Sequence, residues 1–347
     1  MRTYLDHNAT TPLRAEARDA MIAAMDIAGN PSSVHAEGRA AKSLLEKSRQ
    51  TIATALGADG ADVIFTSSAT EAAALALEGK GIVGSEVEHD AVRSWIKTSL
   101  ATDENGIVRI DSPETSTVQF ANSETGVIQP DLPQGLAVSD VTQAFGKLPI
   151  SFNWIGAEMA LVSAHKLGGP KGIGALVVKR GTDVKARLIG GGQEMGRRAG
   201  TENVIGAAGF AAAAQAALHD LESGVWQEVA RLRDLFEEIV LDRAPDAIIA
   251  GKSVTRLPNT SCVATPGWKG ETQVMQMDLA GYAISAGSAC SSGKVKNSAV
   301  LTAMGYDAQT ASSAIRVSLG PDTSEQDILG FADKWLTQRN KFRARAA

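Results

Sequence analysis

Positive charge is not in excess in this chain: 34 Lys and Arg stand against 39 Asp and Glu, a formal net charge of -5 over 347 residues. That balance speaks against a general nucleic-acid-binding surface. The one basic cluster, at 339–345, reads as a solvated helix end. Cysteine is scarce, with only Cys262 and Cys290, too few for a disulfide framework. Residues 1–7 hold no apolar stretch that would serve as a signal, so a reducing cytoplasm is expected. Long hydrophobic runs are missing too. The longest, 205–218, is mostly Ala, is broken by Gln215 and is too short for a bilayer. A buried helix is expected there, and no membrane partner. Cys262, inside the apolar run Thr260-Ser261-Cys262-Val263, is expected to be core.

What is present is an alternation of short β-rich runs and helical patterns. Residues 63–66 read as a strand, followed by a helix over 70–78 that stops at Gly79. Residues 117–121, 136–139, 160–163 and 175–178 read as further buried strands. Such alternation implies an α/β fold with a mainly parallel sheet. The helical stretch 203–241 leads away from it. Beyond lie a strand within 257–264, a helix near 272–279, a Gly/Ser-rich loop around Cys290, a strand at 315–319 and a last helix from Ser324. This reads as a smaller α+β domain. The boundary is set near 245, at Ala244-Pro245-Asp246. The expected division is a large domain over 14–245 and a small one made of 1–13 and 246–347.

Four short segments carry candidate chemistry. In Ser163-Ala164-His165-Lys166-Leu167-Gly168-Gly169 an apolar strand runs straight into a lysine. A buried lysine is costly unless its amine is used, and a desolvated amine forms a Schiff base with an aldehyde. A surface lysine in a Gly-rich turn would look the same. Asp140 ends another strand and would pair with a protonated pyridine nitrogen, with Gln143 donating to the ring oxygen; an N-cap Asp is the plainer reading. Thr66-Ser67-Ser68-Ala69-Thr70-Glu71 joins a strand to a helix through hydroxyls, the geometry of a phosphate cup. It also has the spacing of a capping box between Ser68 and Glu71. His89 would stack on a flat cofactor ring, although a lone His is more often structural.

Together these pieces resemble the cysteine desulfurases of the NifS/IscS type, class V aminotransferases among the fold-type I pyridoxal 5'-phosphate (PLP) enzymes. The resemblance runs from Tyr4-Leu5-Asp6-His7-Asn8-Ala9-Thr10 to Ile315-Arg316-Val317-Ser318. It takes in Gly29-Asn30-Pro31-Ser32-Ser33, Gly192-Gln193-Glu194 and Arg197-Arg198-Ala199-Gly200-Thr201. It implies that Lys166 is the Schiff-base lysine, Asp140 the pyridine-nitrogen partner, Gln143 the contact to the ring oxygen and His89 the stacking ring. Ala69, Thr70, Ser163 and His165 would hold the phosphate, and Thr201 would reach that of a neighbouring subunit, making a homodimer. Asn30 and Arg316, with Ser123 close by, would bind the substrate; an Arg fork matches a carboxylate. No metal is implied.

Cys290 separates sulfur chemistry from transamination. Small residues surround it, which predicts an exposed loop, unlike a structural thiol, and Lys294 and Lys296 would favour the thiolate. The resemblance implies that L-cysteine displaces Lys166 from PLP and that Cys290 takes the substrate sulfur as a persulfide while alanine leaves. A sulfur acceptor or scaffold protein is then an expected partner. The stretch resembles the long-loop branch. Departures are Ser123, where relatives usually have Asn, and short connections at 79–86 and 126–140. A PLP aminotransferase or lyase without sulfur transfer shares Lys166 and Asp140 but gives Cys290 no role. A partner-binding relative with impaired catalysis is the third reading.

Overall fold

The computed structural model describes residues 2–287 and 297–346. Cys290, Lys294 and Lys296 lie outside the described residues. After β1 (Thr3–Tyr4) come α1 (Ala15–Met25), α2 (Ala36–Ala55), β2 (Asp62–Thr66), α3 (Ala69–Leu77), β3 (Val83–Gly84), α4 (Asp90–Arg93) and β4 (Lys97–Thr98). There follow β5 (Ser139–Asp140), β6 (Met159–Ser163), β7 (Gly174–Val178) and α5 (Val204–Glu222).

The main sheet has the order β2-β7-β6-β5. Val138 bridges Thr117, Ser116 bridges Val83, and β3 pairs β4, so pairing continues outward, parallel at every step. Only β7 runs against its neighbours β2 and β6, so the sheet is mainly parallel, as expected. Every residue of β6 and β7 is buried, which is why Met159-Ala160-Leu161-Val162-Ser163 shows no polar alternation: helices or chain cover both faces. The 117–121 stretch pairs through single bridges at Thr117 and Ala121 rather than through a full ladder. Ser68 caps α3, its Oγ accepting from the Glu71 N–H at 3.3 Å, while Glu71 accepts from the Ser67 N–H at 2.6 Å. The capping box is therefore real, shifted by one residue on its return arm.

The 205–218 run is corrected in one respect. It belongs to a 19-residue helix that is long and apolar enough to cross a membrane by length and composition. Half of its apolar window is buried, and it packs against α1 and α2 in the first core, with Ala207, Phe210 and Ala214 inside. A core helix of small residues meets the same measure.

The remaining elements are α6 (Val225–Arg243), β8 (Ile248–Ile249), β9 (Thr260–Ala264), α7 (Gly270–Leu279), β10 (Tyr282–Ala283), β11 (Ser285–Ala286), α8 (Ala299–Ala303), α9 (Ala308–Ala311), β12 (Ala314–Ser318) and α10 (Glu325–Ala346). A second, antiparallel sheet has the order β11-β12-β9-β8. The N-terminal segment joins this unit: β1 pairs β10, and Asp6 bridges Ser318. Gly224, with φ +83°, breaks the long helical stretch into α5 and α6. On the far side of that break Trp226, Val229, Phe236 and Val240 pack into the second core with Trp268, Phe331 and Trp335. The chain passes between cores at Gly224, so the boundary expected near 245 falls at the far end of α6.

Candidate active site

Strand direction explains why distant segments meet. β5 and β6 are parallel, and β2, antiparallel to β7, points the same way as β6. The chain after each of these strands therefore emerges at one sheet edge, as does the chain after β3 and after 116–121. Open α/β sheets bind ligands at that carboxyl edge. Here the edge supplies Lys166 after β6, Asp140 at the end of β5, the N-terminus of α3 after β2, His89 after β3 and Ser123 after 116–121.

These residues line one cavity of about 350 Å³. Ala69, Thr70, Gln143, Ser163, His165 and Arg316 complete the expected set inside it, together with Asn8 and Ser285 from the second unit. The Lys166 Nζ donates to the backbone oxygens of Asn8 and Ala9 at 2.7 and 2.9 Å. Asp140 Oδ1 accepts from the Thr142 N–H at 2.9 Å in a turn, and no helix follows it, so it is not the N-cap of the plainer reading; the residue faces the cavity. His89 caps α4, its Nδ1 accepting from the Ala91 N–H at 3.1 Å. His165 faces Thr10 Oγ1 at 3.2 Å. Burial, then the charges of Lys166, Lys171 and Lys147, pull its pKa down to about 4, which leaves a neutral imidazole at pH 7.

α3 approaches closely because of Gly174. A Cβ there would sit 2.6 Å from the Val162 carbonyl oxygen, 2.8 Å from Ser68 C and 3.0 Å from Ala69 N. The first-turn N–H groups without an intrahelical partner and the positive end of the dipole suit an anion at this spot.

Arg316, on β12, is buried. Its Nη2 donates to Asp6 Oδ1 at 2.9 Å and its Nη1 to the Ser123 carbonyl at 3.1 Å, while its Nε is buried without a partner among the described residues. The bond to Ser123 uses the backbone, which any residue supplies. The Asn-to-Ser departure at this position therefore leaves that contact intact.

Asn30 and Thr201 lie elsewhere. Asn30 is exposed and accepts from the Ser32 N–H at 2.8 Å; Thr201 is exposed just before α5. Their motifs meet at another cavity, of about 440 Å³, lined by Pro31, Ser32, Arg49, Gln193, Glu194 and Glu202. Glu194 and Met195 take positive φ there, 50° and 57°. The strain is held by Glu194, whose Oε2 accepts from Arg49 at 2.6 Å and from the Phe65 N–H at 3.0 Å. Cys262 is fully buried in β9, and burial pushes its thiol well up, so it is inert core.

Three buried groups escaped the sequence reading. Asn8 is a hub for seven hydrogen bonds, described below. Glu88 Oε1 accepts from the Gln119 N–H at 2.7 Å, and its Oε2 is buried without a partner among the described residues. Burial, with Asp140 second, pushes its carboxyl up to about 8. Lys147 is buried with its Nζ on two amide oxygens. The available signal for Lys147 was its position as the only charge in the otherwise uncharged run 141–150.

A lysine amine, a carboxylate, a flat imidazole and a helix N-terminus around one cavity define a cofactor-assisted enzyme of the fold-type I transferase fold. The model of the family described as aminotransferase class-V matches residues 3–331, and the chain belongs to that family. It is 38% identical over 359 residues to a cysteine desulfurase of Trichormus azollae, covering 94% of this chain and 90% of that protein. Among solved structures it resembles the NifS-like protein from Rickettsia africae ESF-5 at 31% identity and TM-score 0.87, over 98% of this chain and 100% of that one. It also resembles SspA in complex with cysteine, at 27% identity and TM-score 0.75, over 93% of this chain and 100% of the other.

Proposed function

We propose that this chain is a PLP-dependent cysteine desulfurase that converts L-cysteine to L-alanine and keeps the sulfur on Cys290. The observation that carries the reading is the placement of Lys166 and Asp140 at the ends of adjacent parallel strands, opening into one cavity with the N-terminus of α3. The residues present fit the cofactor. A cavity of about 350 Å³ has the size of a small-molecule site. Lys166 supplies the amine for the aldehyde, Asp140 the carboxylate for the ring nitrogen, and Gln143 a donor for the ring oxygen. His89 supplies the face, and Ala69, Thr70, Ser163 and His165 the phosphate cup. When bound, the cofactor supplies an electron sink at the substrate α-carbon.

The chain's own groups do the rest. Lys166 moves the proton at the α-carbon. Arg316, released in part from Asp6, binds the substrate carboxylate. The Cys290 thiolate bonds to the substrate sulfur as the carbon–sulfur bond breaks, and the electron pair left on carbon takes a proton to give alanine. A cytoplasmic homodimer is part of the proposal, with Thr201 reaching the partner's phosphate cup and the 440 Å³ cavity on the shared face. Val34 and Met195, exposed beside the motifs that meet there, would be covered by the second copy. The persulfide is handed to an acceptor or scaffold protein.

Purified protein should be yellow, and borohydride reduction should bleach it and fix the cofactor on the peptide holding Lys166. With L-cysteine it should form alanine and, with a reductant, sulfide in equal amount. A colourless protein that PLP does not reconstitute would sink the reading. Pyruvate or 3-mercaptopyruvate in place of alanine would favour a lyase or aminotransferase.

A further inference from the structure

Lys147 is 2% exposed. Its Nζ donates to Gln143 Oε1 at 2.7 Å and to Asn8 Oδ1 at 3.1 Å, so its hydrogen bonds end on amide oxygens and not on a carboxylate. Gln143 Nε2 donates to the Asn8 backbone oxygen at 3.0 Å, the same oxygen that accepts from Lys166 at 2.7 Å. A carbonyl oxygen only accepts, so the NH2 end of Gln143 must face Asn8 and the Oε1 end must face Lys147. One N–H of Gln143 is used by Asn8, which leaves the second for whatever fills the cavity. A lone amide could turn over and present its oxygen instead.

We propose that Lys147 is a positioning residue of the cofactor site: it holds the Gln143 amide with its donor toward the ring oxygen of the cofactor. This rests on the cofactor reading above. Burial, then the charges of Lys166 and Arg316, pushes the Lys147 pKa well down; burial first, then neighbouring charges, pulls His7 and His165 to about 4.

The test is a pH titration of the visible band of the holoenzyme, which follows the proton on the nitrogen joining Lys166 to the cofactor. A donor to the ring oxygen disfavours that proton. Lys147→Met removes the hold on Gln143, and Lys147→Gln keeps a donor for it. Lys147→Met should raise the midpoint by about one unit, a roughly tenfold gain in proton affinity, and Lys147→Gln by a smaller step. Gln143→Ala should raise it as well, and adding Lys147→Met to it should give less than the sum, because the two act through one contact. Each Lys147 variant decides alone if the other does not fold. Midpoints that stay at the wild-type value, with only the melting temperature lowered, would reduce Lys147 to a structural role and overturn the proposal. A wild-type protein without a visible band would instead overturn the cofactor reading beneath it.

Discussion

Glu88 shows how one buried carboxyl shapes the pH response of the protein. Its pKa rises from 4.5 to about 8, through burial first and the Asp140 charge second. The unfolded chain loses this proton near 4.5 and the folded chain holds it to about 8. The group therefore gives its full stability below 4.5, and that contribution fades as pH rises toward 8. Glu88→Gln keeps an acceptor for the Gln119 N–H and cannot ionise. In urea titrations at pH 5, 6, 7 and 8, the variant should gain on the wild type at each step. Parallel curves would mean that Glu88 is charged in the fold. Why Glu88, Lys147 and Asn8 were not legible is physical. Each reads locally as an ordinary polar residue, and its burial is imposed by segments far along the chain: Gln119 for Glu88, Asn8 for Lys147. Lys166, Asp140 and Ser68 were legible because the strand that carries each one precedes it directly, so the apolar run announces the edge.

At the level of elements, the proposed phosphate cup depends on how closely α3 can lie on β7. The atoms that a Cβ at Gly174 would strike are all backbone, from Val162, Ser68 and Ala69, so no side chain can swing aside. Gly174→Ala should cost about 1–3 kcal/mol in overpacking and push the first turn of α3 away from its place. Titration with PLP should then show weaker binding than wild type, while pyridoxal, which lacks the phosphate, should bind the two proteins equally. An equal loss for both ligands would detach the defect from the phosphate cup. The strands β6 and β7 were readable as buried runs, but the reversal of β7 was not, because a strand covered on both faces has the same apolar composition in either direction. The allegiance of α6 was hidden for a related reason. Its period shows an amphipathic helix, and nothing in the period says which core covers the apolar face.

For the whole molecule, the site is the seam between two cores, and Asn8 is the residue that closes it. From the first unit its backbone oxygen takes Gln143 and Lys166, its Oδ1 takes Lys147, and its Nδ2 donates to the Ser123 carbonyl. From the second unit Asn259 donates to Oδ1 at 3.0 Å, Nδ2 donates to Thr260 Oγ1 at 2.8 Å, and the Asn8 N–H donates to Ser318 Oγ at 3.0 Å. Removing the side chain by Asn8→Ala takes one bond each from Lys147, Ser123, Asn259 and Thr260, which keep a second partner, at about 0.5–1.5 kcal/mol for each bond lost. A cofactor that binds only the folded seam adds its own stability by mass action, about 2.7 kcal/mol at a hundredfold excess over its dissociation constant. If the seam and the site are one structure, Asn8→Ala should lower the melting temperature of the cofactor-bound protein more than that of the cofactor-free protein, because it weakens the binding as well as the fold. Differential scanning calorimetry of both forms decides this. Equal shifts in the two forms would show that Asn8 holds the cores together without touching cofactor affinity, and the hub would then be a matter of folding alone.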